Sequence, residues 1–196
     1  MEITTSLYEG KLICLGPIDH EKDPVVESKW THNPEYLRQV LAWPSWPASP
    51  ERIKKRYEAL EKAMEEEKNL FHFAVRLRAE AAEENDRLLG FARLSSVEWA
   101  NGHANQLSLA IADPADRRKG YGSEALSLLL RFAFAELNLH RVTARIPEHN
   151  AIALAFFQKF GFVEEIRRRK ALRIDGNAWD EISMGLLQRE WRGCKA

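Results

Sequence analysis

The chain has 196 residues, 45% of them hydrophobic and 30% charged, with 29 basic side chains set against 29 acidic ones. That length supports one substantial core, so a single domain over residues 1–196 is expected. The balanced charge argues against nucleic acid as a bulk electrostatic partner, and no apolar run is long enough to span a bilayer, so neither partner is expected. The opening residues MEITTSLYEGKL lack the apolar stretch of a signal peptide. Cys14 and Cys194 stand near opposite ends with no ligand spacing and read as reduced thiols of a cytoplasmic protein. The six histidines form no paired-ligand pattern, and no metal is expected.

Residues 11–15 read as a short apolar strand stopped by Gly16-Pro17. Asp23-Pro24 and Asn33-Pro34 mark two helix starts, with Val25, Val26 and Trp30, then Tyr36, Leu37, Val40 and Leu41, as their apolar faces. Trp43-Pro44-Ser45-Trp46-Pro47 suits neither regular helix nor central strand, because proline lacks the donor both need; it reads as a stiff aromatic loop. Ser49 then caps a helix with Pro50 at its first position, and Ile53, Tyr57, Leu60 and Met64 fall on one face of it. Residues 70–77 alternate as a strand, residues 79–86 make an acidic hairpin loop, and residues 87–97 return as a second strand. Asn101-Gly102 marks the next turn, before a third strand over residues 107–112. Residues 123–137 are apolar nearly all round and predict a helix buried against a sheet. A strand over residues 141–146 follows, then a helix opened by Asn150 and closed by Gly161, carrying Ile152, Leu154, Phe156, Phe157 and Phe160. Two last strands, residues 163–174 and 179–187, flank the turn signal Asp175-Gly176.

The most informative stretch lies between the third strand and the long apolar helix. Leu107, Leu109 and Ile111 alternate until Asp113-Pro114 stops the strand, and Arg117-Arg118-Lys119-Gly120-Tyr121-Gly122 leads straight into the helix. Loop N–H groups and the first helical N–H groups then point at one spot, where the helix dipole adds about half a positive charge. Flanked by cationic side chains, such a site suits a diphosphate. A tight strand-to-helix turn with a solvated basic rim would use the same residues. Arg117-x-x-Gly120-x-Gly122 in this setting resembles the acyl-CoA-binding motif of the GNAT N-acetyltransferases. The segments LNLHRV, HNAIALAFFQKFGFVEE and DGNAWDEISMGLLQREW extend the likeness to the branch containing ribosomal-protein N-terminal acetyltransferases and spermidine acetyltransferases. The resemblance implies an α/β (α+β) fold, the GNAT fold, with a mixed, mostly antiparallel central sheet of about seven strands flanked by about four helices. The N-terminal half, which in the family shapes the acceptor site, matches more loosely.

The resemblance implies attack of a primary amine on the thioester of acetyl-CoA, with CoA as product; a peptide N-terminus, a polyamine or another small amine would serve as acceptor. It assigns the pantetheine to the backbone of Ala110, Ile111 and Ala112, with the N–H of Ile111 as oxyanion donor and the next strand splayed away. The pyrophosphate falls to Arg117, Arg118, Lys119, Gly120, Tyr121, Gly122 and Ser123, and further cofactor contacts to Asn150, Ala153, Phe156 and Phe157. Asn150 is also a good helix cap, and the two roles use different groups. Many relatives carry, seven residues after this asparagine, a tyrosine that protonates the departing thiolate, and some use a serine three residues after it. Here Phe157 and Ala153 supply neither acid, a loss of about 10²–10⁴ in rate where that step limits. A catalytically weak or inactive acyl-CoA-binding module is therefore the alternative. Glu98 stands where related polyamine enzymes often carry an acid and is the candidate base; a solvated strand-end carboxylate and a water chain are the other readings, with Gln106 at a second common carboxylate position and His103 and His149 beside loops. The basic run at residues 167–170 reads as a solvated face. Trp43, Trp46 and Trp99 are candidate acceptor walls, suited to a cationic or apolar amine, or else pack on the sheet edge. A Rossmann-type nucleotide site would require alternating βαβ units, against which the three-strand meander argues. Relatives often dimerise, so a homodimer through the C-terminal strands is expected.

Overall fold

The computed structural model describes residues 6–36, 46–78, 86–174 and 176–191. Its strands are β1 (Ile13–Gly16), β2 (Phe71–Leu77), β3 (Leu88–Glu98), β4 (His103–Ile111), β5 (Arg141–Pro147), β6 (Val163–Ile174) and β7 (Asn177–Leu187). They form a seven-stranded sheet in the order β1-β2-β3-β4-β5-β7-β6. The β4–β5 pair is parallel, whereas β1–β2, β5–β7 and β6–β7 are antiparallel. The helices are α1 (Asp23–Trp30), α2 (Pro50–Glu67), α3 (Tyr121–Arg131) and α4 (Ala151–Lys159). Residues 34–36 are helical, as Asn33-Pro34 signalled; Leu37, Val40, Leu41, Trp43 and Cys194 lie outside the described residues. The sheet and its flanking helices are those of the expected α/β (α+β) architecture, and the division into two compact units, residues 1–93 with 108–132 and residues 94–107 with 133–196, falls inside β3 and β4.

In the first unit, α1 corrects the expected burial pattern. Val25 is exposed and Val26 only half-buried, while Asp23, Pro24, Glu27 and Ser28 are buried. The reason is pairing. Asp23 Oδ2 accepts from Arg76 Nη2 at 2.7 Å, and Glu27 accepts from Arg56 and from the Tyr57 hydroxyl. A carboxylate is buried tolerably only when its lone pairs are met, so partners on β2 and α2 decide which face of α1 turns inward. The α2 start follows the sequence: Ser49 accepts from the Arg52 N–H at 3.3 Å, Pro50 occupies the first turn, and Ile53 and Tyr57 are buried. The first turn of α3 braces β1, where the Glu124 carboxylate accepts from the N–H groups of Lys11, Leu12 and Ile13 at 2.7, 2.7 and 2.9 Å. This contact needs the glycine at position 10, because a Cβ there would fall 2.3 Å from the Glu124 carboxyl carbon. Residues 125–130 of α3 are buried throughout, as expected.

The long apolar helix nevertheless stops being α-helical at Arg131 and continues as a π-helix over Phe132–Glu136. Each side of this change has its own partners. Phe132 packs on Phe71, Phe73 and Tyr8 in the first unit, with ring centroids 5.3, 5.1 and 6.0 Å away. Phe134, in the second unit, packs on Trp191 at 5.4 Å, and its carbonyl accepts from Gln188 Nε2 at 3.0 Å. In that unit β5 pairs with β7 from Arg141↔Leu187 to Pro147↔Glu181, and β6 pairs with β7 through two register shifts. Gly176 adopts φ +79 at the end of the expected hairpin turn. The basic run on β6 is exposed, and two of its cations pair within the chain: Arg167 with Glu148, Glu164 and Asp180, Arg168 with Glu181.

Candidate functional site

The loop between β4 and α3 is braced from both ends. Asp113 accepts from the Ala115 N–H at 2.8 Å and closes the 3₁₀ turn Pro114–Asp116. Arg117 donates through Nε to the Ile111 carbonyl (3.3 Å) and through Nη2 to the Ala112 carbonyl (3.2 Å), and its Nη1 pairs with Glu35 at 2.9 Å. Buried Asp116 accepts from Arg87 at 2.7 and 3.1 Å and from Lys119 at 3.3 Å. The Arg87 hydrogen bonds hold its carboxyl below the usual aspartate range. The three loop cations thus differ in kind. Arg117 and Lys119 tie the loop to the fold and have carboxylates beside them, and Arg118 is exposed.

The backbone of the loop is turned by Arg118 at φ 62 and Gly120 at φ 91, the left-handed region where glycine carries no Cβ penalty. Gly120 is the N-cap of α3 and supplies no side-chain acceptor. The first-turn N–H groups, which no helical carbonyl can reach, stay open for an external anion. Beside the loop, β3 and β4 approach so closely that a Cβ at Gly90 would sit 1.8 Å from the Ala110 carbonyl oxygen. The Ala112 N–H donates to the Leu89 carbonyl at 3.0 Å, and Ile111 is half-buried one residue earlier.

In the second unit, Asn150 caps α4: its Oδ1 accepts from the Ala153 N–H at 3.1 Å, and its amide NH₂ donates to no group among the described residues. Ala153 and Phe156 are half-buried. Phe157 is 7% exposed, edge-on to Phe162 at 5.0 Å and to Phe156 at 5.5 Å. Glu98 is exposed and accepts from the side-chain amides of Asn101 and Asn105, which hold its pKa down and make it a weaker base than a solvated glutamate. His103 Nε2 lies 2.8 Å from Thr143 Oγ1, and burial lowers its pKa. Trp99 is exposed in the 3₁₀ turn Trp99–Asn101. Trp46, in the first unit, is exposed with the Arg52 guanidinium 4.8 Å from its ring centroid. Among the described residues, no group of three or more His, Cys, Asp or Glu side chains could hold a metal ion, and no helix is long and apolar enough to cross a membrane.

A cavity of about 340 Å³ in the first unit was not foreseen. Glu27, Arg56, Tyr57, Tyr36, His72 and Arg93 supply its polar wall, and Ala59, Leu60, Ala63 and Phe91 the apolar one. Three buried polar atoms of this wall have no hydrogen-bond partner among the described residues: the Tyr36 hydroxyl, His72 Nδ1 and Arg93 Nε. Tyr36 is 2% exposed and shares a buried cluster with Ala112, just past the end of β4, against which Ala110 packs. His72 stacks on Phe91 at 5.5 Å, and burial pushes its pKa down to about 3. The available signal was two polar residues set inside apolar strands, His72 in FHFAV and Arg93 in LLGFARL.

Comparison with known proteins gives this geometry its setting. The acetyltransferase (GNAT) domain family profile matches residues 13–163. The chain is 31% identical to the probable N-acetyltransferase YjcK of Bacillus subtilis, over 89% of this chain and 93% of that protein. It is 28% identical to the N-acetyltransferase 9-like protein of Nematostella vectensis over 44% of this chain, and here it spans about half of the relative's length, 46%. Among solved structures, the spermidine N-acetyltransferase from Vibrio cholerae in complex with CoA and spermine has the same fold, with a TM-score of 0.76 at 20% identity over 92% of this chain and 98% of that one. The chain belongs to the GNAT acetyltransferase family.

Proposed function

We propose that the protein is an acetyl-CoA-dependent N-acetyltransferase that moves an acetyl group to a primary amine by direct attack on the thioester. The observation that carries this reading is the open start of α3, where left-handed Gly120 leaves the first-turn N–H groups without a side-chain cap. The N–H groups of residues 118–123 suit the CoA pyrophosphate, each charge-assisted hydrogen bond contributing about 1.5–3 kcal/mol. The pantetheine would run along the backbone of Ala110, Ile111 and Ala112.

The amine lone pair forms the new C–N bond, and the carbonyl oxygen gains negative charge that the Ile111 N–H offsets. The C–S bond then breaks. The amine proton leaves to solvent, and solvent protonates the thiolate, since Phe157 and Ala153 carry no acidic proton. The acceptor class is a primary amine, of which a peptide N-terminus, a polyamine and another small amine are members. The reading includes a cytoplasmic protein with Cys14 as a thiol, and a homodimer that uses β6, the last strand of the sheet order, where Val163 and Ile166 are exposed.

Thiol release from acetyl-CoA with a panel of amines tests the assignment. Amine-dependent release is expected. CoA binding by calorimetry with no turnover on any amine would favour the acyl-CoA-binding module that the missing acids suggest.

A further inference from the structure

We infer that the cavity of the first unit is the acceptor pocket, and that it takes an amine bearing a carboxylate beside an apolar body. This rests on the acetyl-transfer reading above. The link to the chemistry is Tyr36. Tyr36 lines the cavity and shares a buried cluster with Ala112, against which Ala110 packs, at the strand end assigned to the thioester.

The charge in the pocket argues for the ligand class. Glu27 is taken up by Arg56 and Tyr57. Arg93 makes no hydrogen bond or ion pair among the described residues, its Nε is buried without a partner, and its guanidinium lies 5.6 Å from the Phe91 ring centroid. His72 is neutral near pH 7, because its pKa lies at about 3. Among the described residues of the wall, two guanidinium charges share one carboxylate, Glu27. Arg93 is half-buried with its Nε shut away from solvent, and a ligand carboxylate meets a guanidinium in a forked pair. Tyr36 and His72 stand in the same wall, the hydroxyl and Nδ1 without partners among the described residues. Leu60, Ala63 and Phe91 give the apolar surface for the ligand body. A polyamine offers this wall only more positive charge.

The test compares leucine with leucinamide and phenylalanine with phenylalaninamide as acceptors, with spermidine as the cationic control. Each pair differs in the carboxylate alone, and the amide carries the more easily deprotonated amine, so amine basicity works against the expected result. The free acids should show at least about tenfold higher kcat/KM than their amides, the scale of one charge-assisted hydrogen bond. Arg93→Gln should bring each acid down to its amide while the Kd for CoA stays unchanged, and Arg93→Lys should restore part of the preference. Calorimetry of N-acetylphenylalanine and its amide with the wild-type protein reads the pocket without turnover, and the acid should bind the tighter. Equal acids and amides, a preference for spermidine, or an Arg93→Gln effect equal on both members of a pair would overturn the inference. If some amine is acetylated but without preference for the acids, only this inference fails. If CoA is not bound and nothing is acetylated, the acetyl-transfer reading fails and the acceptor assignment is overturned with it.

Discussion

At the scale of the residue, His72 shows how one half-buried imidazole with a shut-in nitrogen couples stability to pH. The ring is stacked on Phe91 with Nδ1 unpartnered, and burial, then Arg93 and Arg56, drive its pKa from 6.5 to about 3. Below pH 6.5 the unfolded chain takes up a proton that the folded chain refuses until about pH 3. Stability from this group is therefore intact above pH 6.5 and is lost as the pH falls toward 3, at no more than about 1.4 kcal/mol per pH unit. His72→Gln should flatten the acid side of a urea-midpoint profile between pH 4 and 6.5. A profile whose slope survives the substitution would assign the acid sensitivity to other groups. Gly90 is fixed by a different constraint at the same scale, since the Ala110 carbonyl leaves no room for a Cβ.

At the scale of the element, α3 serves two ends of the fold from one turn. Its open N–H groups face the loop, and Glu124 in the same turn closes the start of β1. Gly122→Asp separates anion binding from helix stability. A carboxylate in the first turn favours the helix dipole, so the melting temperature should hold or rise slightly. The same carboxylate would repel a pyrophosphate, so calorimetry should show CoA affinity reduced at least tenfold, roughly the scale of one charge-assisted hydrogen bond. Unchanged affinity would remove this loop from the cofactor site. The conversion of α3 to a π-helix at Phe132 belongs to this scale too: the i→i+5 winding spans Phe132 and Phe134, whose rings have separate partners.

At the scale of the whole molecule, the sheet leaves β6 at its edge and exposed along nearly all of its length. Ile166 there is 58% exposed, an apolar side chain on an edge that basic and acidic neighbours otherwise keep soluble. Light scattering at micromolar concentration should give a dimer, and Ile166→Glu should shift it to a monomer with the fold retained by circular dichroism. A wild-type monomer at that concentration ends the idea.

The sequence alone determined what is local. Gly120 and Gly122 between a strand and an apolar helix, Ser49 before Pro50, and Asn150 before an aromatic helix each specify a backbone conformation through residues a few positions away, and the structure places the loop and both caps at those positions. Tertiary structure decided which polar groups meet. Glu27 finds Arg56 across 29 positions and Asp23 finds Arg76 across 53, and that pairing, which no periodicity encodes, turns the charged face of α1 inward. The same holds for the cavity. Tyr36, His72 and Arg93 come from three separate stretches of chain, each ordinary by itself, and come together only because folding lines one cavity with all three and strips water from one polar atom of each.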